Sequence, residues 1–167
     1  MSAALVILGV GSPFGDDRAG WSAAALLAAS PLVANSAGQI EVRTLDRPGT
    51  LLLAEFGKSN GVMLIDAMRS GALPGTILRL EAEGVCAARS LLSSHGLGVA
   101  QSLGLARQLG GLPAQFVFFG LEVGHDYSGM NLSPAVSAAL PQLVTQVIRQ
   151  AMAWGFARAD AAGCAAS

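Results

Sequence analysis

The chain has 167 residues, of which 52% are hydrophobic and 13% are charged, and its formal charge is −1. This length and composition predict one domain over residues 1–167 with a well-buried core and a loose tail over about 157–167. The near-neutral charge argues against a nucleic-acid partner, and no apolar run approaches the ~20 residues that span a membrane. Two cysteines and the lack of a basic leader favour a cytoplasmic location.

Short apolar runs alternate with helical patterns along the chain. In chain order we predict a strand at 4–8, a glycine-containing turn at 9–17, a helix at 19–29, a strand at 40–45, a short helix after Pro48, a strand at 62–66, an edge strand at 76–80, a helix at 97–109, a strand at 116–121 and a helix at 135–154. Ser133 offers a capping hydroxyl before the last helix, and Pro134 suits its first turn.

Almost fully apolar strands that alternate with helices indicate a largely parallel sheet covered on both faces. The predicted fold class is therefore α/β: a three-layer sandwich with a largely parallel sheet of about five strands flanked by helices on both faces, of the phosphorylase/hydrolase-like kind. The order of the strands stays open. Ligands of such sheets bind at the carboxyl ends of the strands, so residues that follow strands are the candidates for function.

An acid pair, Asp16 and Asp17, lies between the first strand and the first helix. The glycines before it do not have the spacing of a dinucleotide-binding loop, no phosphate-binding lysine motif is present, and two carboxylates would repel a phosphate. Two interpretations remain open for the pair: it caps the helix, where acids are favourable, or it binds a cation.

Asp66 and His95 are further candidates at this edge of the sheet. Asp66 ends the third predicted strand and His95 precedes a predicted helix, although each could instead be a cap or a solvated turn residue. The other histidine, His125, lies in a loop with no supporting pattern and is interpreted as structural or surface-exposed. Ser94 lacks the context of a nucleophile elbow and Cys86 lies in a weakly patterned segment, so neither is favoured as a nucleophile.

Two carboxylates and one imidazole form a hard-to-borderline set of metal ligands. Nickel, zinc, iron and manganese all remain compatible with such a set. Three protein ligands would leave positions open for a substrate, as a catalytic or sensing site requires. The sequence thus predicts an open metal site at the carboxyl edge of the sheet.

These segments, taken together and in order, resemble the [NiFe]-hydrogenase maturation endopeptidases over about residues 4 to 150. Residues 9–20 match the opening Gly-x-Gly motif of that family, with Ser12 in place of an asparagine and a loop one residue shorter. Counting back from Gly20 aligns Asp17 with the family's first metal ligand. Asp66, followed by Pro-Gly-Thr at 74–76, and His95, in His-Gly-Leu-Gly, match the second and third ligands.

Two further segments are similar to that family. Gly-Leu-Glu at 120–122 and Leu-Ser-Pro at 132–134 correspond to its late motifs. The partner-recognition turn of the family corresponds to Asp46, Gly49 and Thr50, with an inserted Arg-Pro between the aspartate and the glycine. Asp46, Gly49, Thr50 and Glu122 are therefore candidate substrate-binding residues.

The resemblance implies an endopeptidase that removes the C-terminal extension of a [NiFe]-hydrogenase large-subunit precursor after nickel insertion. Asp17, Asp66 and His95 would recognise nickel that the precursor carries, and other divalent metals could occupy the site in vitro. The metal could polarise the scissile carbonyl or lower the pKa of a bound water, and a carboxylate such as Asp17 could be the general base. The alternatives are a non-cleaving metal-binding chaperone that docks the precursor and, less favoured, a nucleotide-binding domain.

Overall fold

A computed structural model describes residues 3–46, 49–88, 94–125 and 127–156, with the side chains at 49, 50 and 94–97 excepted. Within these residues the strands are β1 Leu5–Gly11, β2 Ile40–Asp46, β3 Gly61–Met68, β4 Ile77–Leu80 and β5 Gln115–Glu122. The helices are α1 Ala19–Ala28, α2 Pro31–Ala34, α3 Gly49–Phe56, α4 Ala82–Ala87, α5 Ser94–Gln108 and α6 Pro134–Ala153, and a 3-10 turn spans Gly15–Arg18. The predicted loose tail lies outside the described residues.

The strands form a single sheet in the order β2-β1-β3-β5-β4. β1, β2, β3 and β5 are parallel, and β4 pairs antiparallel with β5 at the edge. This arrangement confirms the predicted α/β fold and the edge position of the strand near residue 80. It also places β3 between β1 and β5, so the connections that follow β1 and β5 leave the sheet on either side of β3.

Strand residues alternate between two hydrophobic cores, one on each face of the sheet. On β1, Leu5 and Ile7 pack in the core under α1 and α6, whereas Val6 and Leu8 pack in the core under α3 and α5. All eight residues of β3 are buried. Helices therefore cover both faces, as expected for apolar parallel strands.

Glycines allow β1 and α1 to approach at backbone distance. A Cβ atom on Gly9 would lie 2.2 Å from the carbonyl oxygen of Gly20, and one on Gly20 would lie 2.1 Å from that of Val10. The opening glycine motif thus has a packing role, since any larger residue at either position would push the helix off the sheet.

Two strands continue beyond their predicted last residue by more than one position. β1 continues to Gly11 because residues 9–11 pair with 44–46 of β2, so the turn begins only at Ser12. β3 continues to Met68 because Ala67 and Met68 pair with the last residues of β5. Asp66 therefore lies inside the strand, two residues before its end, instead of terminating it. Helices α2 and α4 and the 3-10 turn were not predicted.

In the described part of the chain, no helix is both long and apolar enough to cross a membrane.

Candidate active site

Asp66 is a fully buried carboxyl group near the carboxyl end of β3. Its Oδ1 accepts a hydrogen bond from the backbone N–H of Ala67 at 2.8 Å. Its Oδ2 is also buried but has no hydrogen-bond partner within the described part of the chain. A buried polar oxygen without a donor is costly, and native structures contain few of them. Such an atom therefore marks a candidate functional position.

The pKa of Asp66 is raised well above its usual range. Burial is the largest cause and outweighs the hydrogen bond from Ala67, which acts in the opposite direction. The negative charge of Asp17 raises the pKa further. The two predicted ligands are thus close enough to interact electrostatically, and a cation between them would relieve both the burial cost and the repulsion.

Asp17 lies half-buried in the 3-10 turn that connects β1 to α1. Its carbonyl oxygen accepts a hydrogen bond from the N–H of Ser12 at 3.1 Å. A Cβ atom on Gly11 would stand 2.1 Å from that same oxygen. The backbone of Asp17 therefore packs directly against the backbone of Gly11 at the end of β1. Only glycine leaves room for this contact at position 11.

Asp16, the other member of the acid pair, is buried and engaged elsewhere. Its Oδ1 accepts a hydrogen bond from the N–H of Ser133 at 2.6 Å, and its Oδ2 accepts one from the Ser133 hydroxyl at 2.8 Å. Ser133 precedes α6, but its hydroxyl bonds Asp16 instead of capping the helix as predicted. The Asp16 carboxylate is therefore engaged with Ser133, and the assignment of Asp17 as the ligand stays a prediction.

His95 lies in the first turn of α5, and its side chain is outside the described residues. Residues 109–114 join the end of α5 to the start of β5, so α5 runs antiparallel to that strand. The first turn of α5 consequently lies at the carboxyl edge of the sheet, the same edge as Asp17 and Asp66. Among the side chains that the structure describes, no group of three or more His, Cys, Asp or Glu residues is placed to hold a metal ion.

The predicted partner-recognition residues follow β2. Asp46 is exposed, is the last residue of that strand and pairs with Gly11 of β1, which borders the turn of Asp17. Gly49 and Thr50 begin α3, but their side chains are outside the described set. Their backbone places this segment at the carboxyl edge, and its contact with a substrate stays a prediction.

Glu122 is buried at the end of β5 and holds the loop that follows β3. Its carboxylate accepts hydrogen bonds from the N–H of Ser70 (2.9 and 3.1 Å), the Ser70 hydroxyl (2.7 Å) and the N–H of Gly71 (3.0 Å). Its backbone carbonyl accepts the N–H of Gly75 at 2.9 Å. The geometry gives Glu122 a structural role in this loop; a direct contact with substrate remains untested.

Large apolar side chains are exposed on the loops around the two acids. Phe14 and Met130 are 60% and 65% exposed, and the N–H of Gly15 bonds the Met130 carbonyl, so the two loops that carry them adjoin. Tyr127 lies against Gly129 in the same loop, and Leu73, on the loop held by Glu122, is 81% exposed. We call Phe14, Leu73, Tyr127 and Met130 the apolar rim.

The remaining candidates lie apart from these acids. His125 is exposed in the loop after β5, in agreement with its interpretation as a surface residue. Cys86 is half-buried and lines a cavity of about 380 Å³ between α4 and the later turns of α5. Because α5 begins at the carboxyl edge, these later turns lie toward the opposite edge of the sheet. Cys86 is therefore not part of the candidate site.

Two structural features of this site were not predicted from the sequence. The pairing of Asp16 with Ser133 joins residues 117 apart in sequence, and the pattern of either segment alone gives no sign of it. The apolar rim was likewise not predicted, although Phe14 beside the acid pair was an available signal.

Comparisons with known proteins identify a family and a fold. The HycI family model, described as hydrogenase maturation protease, matches residues 48–150. The structure is similar to the hydrogenase maturating endopeptidase HybD from E. coli, with a TM-score of 0.78 and 24% identity over 90% of this chain and 93% of that one. It is also similar to the [NiFe] hydrogenase maturation protease HybD from Thermococcus kodakarensis, with a TM-score of 0.67 and 21% identity over 88% and 98% of the two chains. Among curated proteins, none matches.

The family model spans more than half of the chain, including Asp66, His95 and the segment around Glu122. The chain therefore belongs to the hydrogenase maturation protease family. The solved structures share its fold, the five-stranded, mostly parallel sheet between two layers of helices. The predicted family and fold class are thus confirmed.

Proposed function

We propose that this protein is an endopeptidase that removes the C-terminal extension of a [NiFe]-hydrogenase large-subunit precursor after nickel has been inserted. In this proposal Asp17, Asp66 and His95 recognise the nickel that the precursor carries. The nickel is thus part of the substrate. Membership of the hydrogenase maturation protease family supports the reaction class.

The observation that carries the ligand assignment is the unpartnered Oδ2 of Asp66. This oxygen is buried beside the charge of Asp17, in surroundings that disfavour its ionised form. This supports a divalent cation as its partner, because a cation would stabilise both carboxylates at once. Carboxylate oxygens together with an imidazole suit a borderline cation such as nickel.

The position of His95 supports its inclusion as the third ligand. Residue 95 lies four positions before Val99, which is buried in the core between α5 and the sheet. Positions four apart share one face of a helix, so position 95 belongs to the face of α5 that packs on the sheet. Asp66 belongs to the same side of β3 as Val62 and Leu64, which also line that core. Both positions therefore lie on one face of the sheet, at one edge.

The apolar rim supports a protein substrate. Exposed apolar side chains that cluster around a polar site are typical of surfaces that bind other proteins. The carboxylates of Asp17 and Asp66 complement a cation, and the rim on the neighbouring loops complements apolar residues. A precursor that presents a metal ion within an apolar surface matches both, and we propose that it docks here.

Hydrolysis of the scissile peptide bond adds water across that bond, forming a carboxylate and an amine. Nickel held by the precursor would polarise the carbonyl or lower the pKa of the attacking water, and a carboxylate such as Asp17 would accept the proton as a general base. Asp66, which is inaccessible to solvent, would act by holding the ion.

The test is to incubate the purified protein with its nickel-loaded precursor and follow the loss of the extension by mass spectrometry. We expect cleavage by the wild type and none by Asp17→Asn, Asp66→Asn or His95→Ala, with His125→Ala as the matched histidine control that stays active. Normal cleavage by all three site variants would overturn the ligand assignment. Tight binding of the precursor without cleavage by the wild type would replace the endopeptidase with a docking chaperone.

A further inference from the structure

We infer that Asp16 is a positioning residue, whose buried carboxylate sets the place of Asp17 by holding Ser133. The inference rests on the proposed function, because the place of Asp17 matters to the reaction only if Asp17 belongs to the active site. Asp16 itself touches neither the metal nor the scissile bond in this account.

Both oxygens of the Asp16 carboxylate are used by one residue. They accept the N–H and the hydroxyl of Ser133 at 2.6 and 2.8 Å, and the side chain is buried, with 6% of its residue surface exposed. Hydrogen bonds to an ionised acceptor are among the stronger contacts in a protein, particularly where water is excluded. The pair therefore forms a firm link between the 3-10 turn and the start of α6.

A second contact reinforces this link. The N–H of Gly15 donates to the carbonyl of Met130 at 3.0 Å. Gly15 has a φ of 54°, and a Cβ atom there would lie 2.6 Å from the carbonyl oxygen of Gly129. Glycine is thus required at position 15 both by its conformation and by the close approach of the two loops.

The two links have a consequence for the sheet edge. The 3-10 turn follows β1, and the loop at 127–133 follows β5, so these contacts cross the end of β3, which lies between them. Asp66 lies on β3. On the other side, Ser12 and Gly11 hold the backbone of Asp17 against β1. The turn is therefore fixed at both ends, and Asp17 is held at a set distance from Asp66.

Three variants change the hydrogen bonds between Asp16 and Ser133 in different ways. Asp16→Ala removes both hydrogen bonds, and Ser133→Ala removes only the bond to the hydroxyl. Asp16→Asn can keep both contacts, because its amide oxygen accepts the Ser133 N–H while its amide NH₂ donates to the Ser133 hydroxyl oxygen. A direct metal ligand would not tolerate this change, since an amide is a much poorer ligand for a divalent cation than a carboxylate.

The experiment measures kcat and KM for cleavage of the nickel-loaded precursor at a temperature where every variant is folded by circular dichroism. We expect Asp16→Ala to lower kcat by about tenfold to a hundredfold with little change in KM, since misplacement of a reacting group by about 1 Å costs on that order. Ser133→Ala should lower kcat by a smaller factor, and Asp16→Asn should restore most of the activity.

Glu55→Ala is the matched control for a general loss of stability. Glu55 is also a buried acid with two partners, Arg43 at 2.8 Å and Lys58 at 3.5 Å, but it lies near the end of α3, away from the carboxyl edge. We expect this variant to be less stable with an unchanged kcat. If Asp16→Ala does not fold, the kcat values of Ser133→Ala and Asp16→Asn test the positioning role instead.

Three results would overturn the inference. An unchanged kcat for both Asp16→Ala and Ser133→Ala would remove the positioning role. A loss for Asp16→Asn equal to that for Asp16→Ala would make Asp16 a ligand or a required charge. An inactive wild type would refute the proposed function itself, and the positioning role with it, which is a distinct outcome from the first two.

Discussion

Asp17 lies close enough to Asp66 for its negative charge to raise the pKa of the Asp66 carboxyl, which burial has already raised. One of the two carboxyl oxygens of Asp66 has no hydrogen-bond partner within the described residues. The ionised form of Asp66 is thus unfavourable in the folded protein, and a cation is the partner that we propose for it. If a metal ion is that partner, the metal-free protein bears the cost of this buried acid in its free energy of unfolding.

The first prediction concerns the stability of Asp66→Asn. Because the folded state raises the pKa of Asp66 above its usual value of 3.8, folding favours the protonated form. The contribution of Asp66 to stability is therefore most favourable below its unfolded pKa, and it is lost as the pH rises through the folded pKa. Asparagine does not ionise, so the variant should be more stable than the wild type at neutral pH while lacking activity.

Urea denaturation between about pH 4 and pH 8 measures this effect, since ionisation linkage gives stability a pH dependence. The stability advantage of Asp66→Asn should shrink toward zero at the acid end of the range. A variant less stable than the wild type at neutral pH, or an advantage that does not change with pH, would contradict the assignment of Asp66 as a strained buried acid.

The second prediction concerns Gly11→Ala. A Cβ atom at this position would overlap the carbonyl oxygen of Asp17, which is backbone and cannot rotate away. The turn must shift, so we expect a loss of about 1–3 kcal/mol in the free energy of unfolding and a fall in kcat for precursor cleavage. Thermal denaturation and the cleavage assay measure the two effects.

Gly104→Ala is the control for this substitution. Gly104 lies within α5, and a Cβ atom there would meet no atom within 4 Å. Alanine should therefore stabilise the helix by roughly 0.5–1 kcal/mol without affecting cleavage. Equal behaviour of the two variants would contradict the close contact between Gly11 and the turn of Asp17.

The third prediction concerns the apolar rim. Phe14→Ser and Met130→Ser remove exposed apolar surface, so they should change stability little. If the precursor buries these side chains, each variant should lose about tenfold to a hundredfold in kcat/KM, mainly through KM, because burial of one such side chain contributes about 1.5–3 kcal/mol. Steady-state kinetics of precursor cleavage provide the measurement.

Leu26→Ser is the control, because it removes an exposed apolar side chain outside the apolar rim. Leu26 is 48% exposed on α1, and its replacement should leave both KM and kcat unchanged. A normal KM for the double variant of Phe14 and Met130 would show that the precursor docks elsewhere.

The fourth prediction separates two roles for Glu122. Its carboxylate accepts from the N–H groups of Ser70 and Gly71 and from the Ser70 hydroxyl. Glu122→Gln weakens these bonds and places an amide NH₂ against donors, so the free energy of unfolding should fall by about 1–3 kcal/mol. Ser70→Ala, which removes one donor only, should cost less. A rise in KM for Glu122→Gln with unchanged stability would instead indicate a direct substrate contact.

Much of the fold was predictable because its determinants are local. Apolar runs such as 62–66 identify buried strands, and the alternation with helices identifies the parallel sheet. The strand order was not predictable, because it depends on contacts between residues far apart in the chain. The ends of β1 and β3 were predicted too early, since their last residues are fixed by pairing with neighbouring strands and not by their own hydropathy.

The approximate position of the candidate site was predictable from the geometry of parallel sheets. Parallel strands present their carboxyl ends at a common edge, so Asp17 and Asp66 could be expected to approach each other. The different roles of the two neighbouring acids, Asp16 and Asp17, did not follow from that geometry. Asp16 and Asp17 are adjacent and identical in type; the resemblance to the family aligned Asp17 with a ligand, but the hydrogen bonds of Asp16 to Ser133 could not be read from the sequence. The place of His95 in the ligand set remains a prediction.

The most direct test of the account compares two forms of one substrate. The wild-type protein is incubated with the large-subunit precursor purified with nickel and with the same precursor purified without it, and the mass of the large subunit is followed over time. We predict that only the nickel-loaded precursor loses its extension, and that adding nickel to the metal-free form restores cleavage. Equal cleavage of the nickel-free precursor would contradict the claim that the protein recognises nickel in its substrate.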